Sequence, residues 1–138
     1  MADSLQRAGR GASEDTFPKL LRLHAQMRGG RPAYRHKDRG IWQTWTWREV
    51  YDDVRAIAQG LIKLGVRQGD KIAIVGANRP MLYWTLCAAQ MLRATPVPVY
   101  ADAVADEMAY VLENADVKVA AAQDQEQVDK LLAIQERL

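Results

Sequence analysis

Lys71-Ile72-Ala73-Ile74-Val75 is a short apolar run, entered from the turn Arg67-Gln68-Gly69-Asp70 and left through Gly76-Ala77-Asn78-Arg79 into a helical segment that opens on Pro80. The same succession of run, loop and helical segment recurs twice. Residues 96–100 lead to a helical stretch over 103–114, and residues 117–122 lead to one over 125–138. Apolar runs without alternation are the mark of strands buried on both faces, and strands separated by helices join through parallel crossovers. The spacing therefore predicts an α/β fold containing half of a doubly wound parallel sheet, with helices over 80–92, 103–114 and 125–138. Asp124-Gln125-Glu126-Gln127 has the form of a capping box at the start of the last helix.

Upstream of this core, Thr46-Trp47-Arg48-Glu49 is a second capping box. The helix it opens carries the apolar stripe Trp47, Val50, Tyr51, Val54, Ile57, Ala58, Leu61 and Ile62, and Gly65 follows as a left-handed C-terminal residue. Earlier still, Phe17, Leu20, Leu21 and Met27 recur at helical spacing, with Pro18 in the first turn and Gly29-Gly30 as the stop. Residues 33–37 and 42–46 flank Asp38-Arg39-Gly40, which predicts a small hairpin. Residues 1–15 are polar and lack the apolar centre of a secretion signal, so they read as a disordered tail. Residues 16–138 read as one incomplete domain, because three strands are half a sheet and the chain stops on a helix.

Composition narrows the function classes. Among 138 residues, 49% are apolar and 26% charged, the balance of an ordinary folded protein, and the net charge is +2 with the basic residues scattered. Nucleic acid is not an expected partner, since no Lys/Arg stripe tracks a phosphate backbone. The lone Cys87 excludes an internal disulfide, and with only His24 and His36 beside it no structural zinc site is expected. This usage suits the reducing cytoplasm. The longest nearly apolar stretch, residues 81–92, falls short of the ~20 residues a membrane span needs.

Several residues are of types that can carry chemistry. The loop Gly76-Ala77-Asn78-Arg79-Pro80 sits where open α/β sheets bind phosphate, but Pro80 removes an N–H donor and the Gly-x-Gly spacing is missing. It reads as a structural connection organised by Asn78 and Arg79. Trp42, Trp45, Trp47 and Trp84 read as core or domain-interface packing, His24 as a partly buried histidine, and Cys87 as an inert small hydrophobe. Of the acids Asp102, Asp106, Glu107 and Glu113, Asp102 reads as a helix cap and the others as a polar helix face, rather than as a magnesium site.

A set of blocks in fixed order adds a resemblance. Trp45-Thr46-Trp47 leads into a helix. Then come Leu64-Gly65-Val66-Arg67-Gln68-Gly69-Asp70-Lys71-Ile72-Ala73-Ile74, Asn78-Arg79-Pro80, Ala94-Thr95-Pro96-Val97-Pro98-Val99-Tyr100 and Asp124-Gln125-Glu126-Gln127-Val128-Asp129-Lys130-Leu131. From about Thr16 to the end the chain resembles the first third of the AMP-forming long-chain acyl-CoA synthetases, in their bacterial form. The resemblance implies a full-length ligase that joins a fatty acid to coenzyme A at the expense of ATP, with magnesium, through an acyl-adenylate. The family's Ser/Thr/Gly-rich phosphate loop ending in Pro-Lys has no counterpart in this sequence. The resemblance therefore carries over no catalytic, cofactor-binding or metal residue, and it implies a segment inactive by itself. The rivals are an independent α/β binding module derived from the same fold, and a ligase for another carboxylic acid. Half a sheet leaves an edge without its neighbour, so the expected partner is the rest of a synthetase or a second copy.

Overall fold

The computed structural model describes residues 15–137 and begins with α1 (Phe17–Arg28). The predicted tail over 1–15 lies outside the described residues except for Asp15, whose carboxylate pairs with Lys19 at 2.6 Å. Leu21 and Ala25 are the buried residues of α1, one turn apart, while Phe17 and Met27 of the predicted stripe are exposed. β1 (Pro32–Asp38) and β2 (Ile41–Thr46) follow as an antiparallel hairpin. Its Arg39-Gly40 turn has φ of 46° and 83°, the pair of positive angles that a type I′ turn requires.

α2 (Trp47–Lys63) starts where the capping box places it. Glu49 Oε2 accepts from the Thr46 backbone N–H at 2.8 Å, and the Glu49 N–H donates back to Thr46 Oγ1 at 3.3 Å. Two backbone donors that a first turn leaves without partners are thus satisfied reciprocally. The helix buries Val50, Val54, Ala58 and Leu61, whereas Ile62, the last residue of the predicted stripe, is exposed. At its end Gly65 takes φ 87°, its N–H reaching the Ile62 carbonyl and that of Val66 the Leu61 carbonyl. This is the Schellman arrangement, which favours glycine at the left-handed position. Two compact units divide the chain within this helix, one up to Asp53 and one from Val54.

The second unit holds β3 (Lys71–Val75), α3 (Pro80–Met91), β4 (Thr95–Val99), α4 (Ala105–Ala115), β5 (Val119–Ala122) and α5 (Gln125–Ile134), with a 3₁₀ turn Gln135–Arg137. The strands form one parallel sheet in the order β4-β3-β5. Central β3 is buried from Ile72 to Val75, while β4 and β5 are only partly covered. Ala73, Val75 and Val99 pack with Met108, Ala109 and Leu112 of α4 and Ile134 of α5. Ile72 and Ile74 point to the opposite face by the two-residue strand period, and α3 with its buried Trp84, Ala88 and Ala89 covers that side.

Several predicted boundaries shift. β4 begins at Thr95, whose N–H donates to the Asp70 carbonyl at 2.8 Å, and it ends before Tyr100, which is 85% exposed. β5 begins only at Val119. Asp102 does not cap α4, because that helix starts at Ala105 with Val104 in the N-cap position. Asp124 does cap α5, accepting from the Gln127 N–H at 3.2 Å. The helix passes into the 3₁₀ turn after Ile134, and Leu138 lies outside the described residues.

Candidate functional site

In a parallel sheet the loops at the carboxyl ends of the strands are where ligands bind, in crevices opened by chains departing to opposite faces. β3 leads to α3 on one face, whereas β4 and β5 lead to α4 and α5 on the other, so a crevice opens on each side of the β3 end. One of them is filled. The Gln123 side chain, following β5, accepts from the Ala77 N–H at 2.7 Å. A Cβ at Gly76 would meet Gln123 Oε1 at 3.0 Å and its Cβ at 3.1 Å, so a side chain at Gly76 would displace this plug.

The crevice between β3 and β4 stays open as a cleft of about 490 Å³. One wall is Gly76, Ala77 and Asn78 with Leu82 of α3; the other is Pro98 to Asp102. Both walls are anchored: Tyr83 OH donates to Asn78 Oδ1 at 2.7 Å, and Lys130 of α5 donates to the Ala101 carbonyl at 2.8 Å. Asp102 is the one acidic residue lining the cleft, and no Lys, Arg or His lines it. Pro80 lacks an N–H, so the loop after β3 offers an anion one donor fewer than an unbroken helix start would. Asn78 organises that loop as expected. Gln123 was missed, and no local signal could have found it, because its partner lies 46 residues away.

The remaining candidates disperse. Asp106 pairs with Arg137 at 2.6 Å and Asp70 with Lys118 at 3.1 Å. The Arg67 N–H, and then Lys118, hold the Asp70 carboxyl below its ordinary value. Among the described residues no three His, Cys, Asp or Glu side chains come together as metal ligands. Burial pushes the half-buried Cys87 thiol up to about 11, which keeps it protonated and inert. In the first unit His24 packs against Trp47 with ring centroids 4.8 Å apart, and the Arg28 guanidinium lies over the same ring at 5.1 Å. Trp84 is a core residue, Trp45 and Trp47 are half-buried, but Trp42 is 65% exposed beside Lys37, so core packing does not account for it. Among the described residues no helix is long and apolar enough to cross a membrane.

Comparison with known proteins bears on this arrangement. Residues 21–138 match the AMP-binding enzyme family. The uncharacterized protein Rv1549 of Mycobacterium tuberculosis is 41% identical over 91 residues, which are 66% of this chain and 51% of that protein. The long-chain-fatty-acid–CoA ligase ACSBG2 of Rattus norvegicus is 31% identical over 121 residues, 86% of this chain but 18% of the ligase. Among solved structures, the N-terminal domain of FACL13 from Mycobacterium tuberculosis superposes with a TM-score of 0.78 at 22% identity, over 86% of this chain and 29% of that one. The chain thus spans about half the length of one relative and under a fifth of the other.

Proposed function

The chain belongs to the AMP-binding enzyme family, and we propose that it forms the N-terminal segment of a cytoplasmic long-chain fatty acid–CoA ligase, contributing scaffold rather than catalytic groups. The observation that carries this reading is the match over residues 21–138, in which strands, loops and helices keep one order from the capping box of α2 to α5. ATP, magnesium and coenzyme A belong to the reaction of the complete ligase. No Lys, Arg or His lines the cleft beside the loop after β3, and Pro80 leaves that loop one N–H donor fewer, which supports assigning the ATP site to the rest of the ligase. Its part is to present the carboxyl end of the parallel sheet, with one crevice plugged and the other open, to a partner segment that brings the phosphate loop.

A stand-alone α/β module is the second reading, favoured by Rv1549, of which a 91-residue match already makes up 51%. A chimera separates the two. Residues 21–138 replace the aligned segment of a long-chain ligase, and fatty-acid-dependent pyrophosphate release is compared with that of the same ligase lacking the segment. Recovery of release supports the scaffold role. A chimera that melts cooperatively yet releases no more than the deletion overturns it.

A further inference from the structure

Ile41 and Trp42 are 69% and 65% exposed at the tip of the β1–β2 hairpin, where core packing explains neither. The strand pairing sets them on opposite faces of the ribbon, Trp42 across from Lys37 and Ile41 across from Asp38. The Lys37 ammonium lies over the Trp42 ring at 5.9 Å, and Arg35, Lys37 and Arg39 are all exposed. Arg39 occupies the turn itself, while Arg35 shares the face of Lys37 about 7 Å farther from the tip. The narrow end of the ribbon thus carries an apolar side chain on each face, with three cations against the one acid, Asp38.

That distribution chooses among surfaces. A partner laid against the ribbon, whether protein or nucleic acid, covers one face and leaves the apolar side chain of the other in water. A lipid interface entered tip first surrounds both. An indole suits that level, its ring at the acyl boundary and its N–H in the hydrated headgroup layer, and long basic side chains reach back from there to anionic headgroups. We propose that the β1–β2 tip docks on an anionic lipid surface, with Ile41 and Trp42 in the headgroup–acyl boundary and Arg35, Lys37 and Arg39 against the lipid phosphates. Asp38 keeps the tip shallow, because its carboxylate stays hydrated. Two apolar side chains and three cations give reversible association, since even one acyl chain binds a membrane only marginally.

Flotation of the whole chain with vesicles tests this. The chain is expected to float with vesicles of phosphatidylglycerol and phosphatidylcholine and not with phosphatidylcholine alone. Trp42→Ala lowers binding roughly tenfold at an unchanged melting temperature, because the side chain is exposed. Lys37→Gln with Arg39→Asn lowers it about twenty-fivefold, each basic residue near an anionic surface being worth about fivefold. Asparagine suits the left-handed turn position, so the second variant keeps its hairpin even if the first does not fold. No binding to the anionic vesicles, or folded variants that bind as the wild type does, overturns the proposal. So does binding of a thymidine oligonucleotide in place of vesicles, which would assign the face to nucleic acid. In the folded ligase chimera the same substitutions are expected to lower vesicle binding whether or not pyrophosphate is released; a chimera indifferent to them has its tip covered by the rest of the ligase, and that too overturns the proposal.

Discussion

Cys87 illustrates how far a single residue can be read. Its place between Leu86 and Ala88 in an apolar helix marks it as a small hydrophobe, and the structure adds the consequence. Burial lifts the thiol from an ordinary 9.0 to about 11. The folded chain therefore keeps the proton that the unfolded chain gives up first, and this contribution to stability is present below pH 9 and lost as the pH rises toward 11. Alkylation by iodoacetamide at pH 8 is expected to be roughly a hundredfold slower in the native chain than in an unstructured peptide of the same local sequence, because the thiolate is the reacting form. Equal rates would contradict the burial assigned to this side chain. Gln123 shows the opposite limit, since a glutamine after a strand carries no mark of the distant N–H it will meet.

At the scale of elements, legibility followed local chemistry. The start of α2 was readable because Thr46 and Glu49 act within one turn of each other, and its end because Gly65 needs a left-handed conformation. β3 was readable as well, because an apolar run this short between two turn-forming loops suits the buried centre of a sheet. β4 and β5 are edge strands with partial burial, so their apolar runs do not coincide with their ladders. Thr95 joins β4 through a backbone bond that no hydropathy pattern records, and Tyr100 continues the run after the strand has ended. The order β4-β3-β5 depends on crossovers and not on any residue type. Thr46→Ala removes the hydroxyl half of the capping box and is expected to cost about 1 kcal/mol, read as a shift of the urea midpoint at unchanged slope. The Thr46 N–H and then its hydroxyl hold the Glu49 carboxyl below its ordinary 4.5, so the contact contributes above that pH and is lost as acid titrates the folded form. A midpoint unmoved by Thr46→Ala would show that the cap does not stabilise α2.

For the whole molecule, family membership rests on the match over residues 21–138, and the scaffold role proposed for that segment rests on the end of its sheet. The end of its sheet offers a plugged crevice, a cleft without cations and no cluster of metal ligands among the described residues. On the proposed reading these features hold a neighbouring segment in place, and the groups that stabilise the charge developing on a phosphate during adenylation come from the rest of the ligase. The direct measurement is pyrophosphate release by the purified 138-residue chain supplied with ATP, magnesium, palmitate and coenzyme A. No fatty-acid-dependent release above the protein-free background is the predicted result, and sustained palmitate-dependent release from a homogeneous preparation would contradict the account.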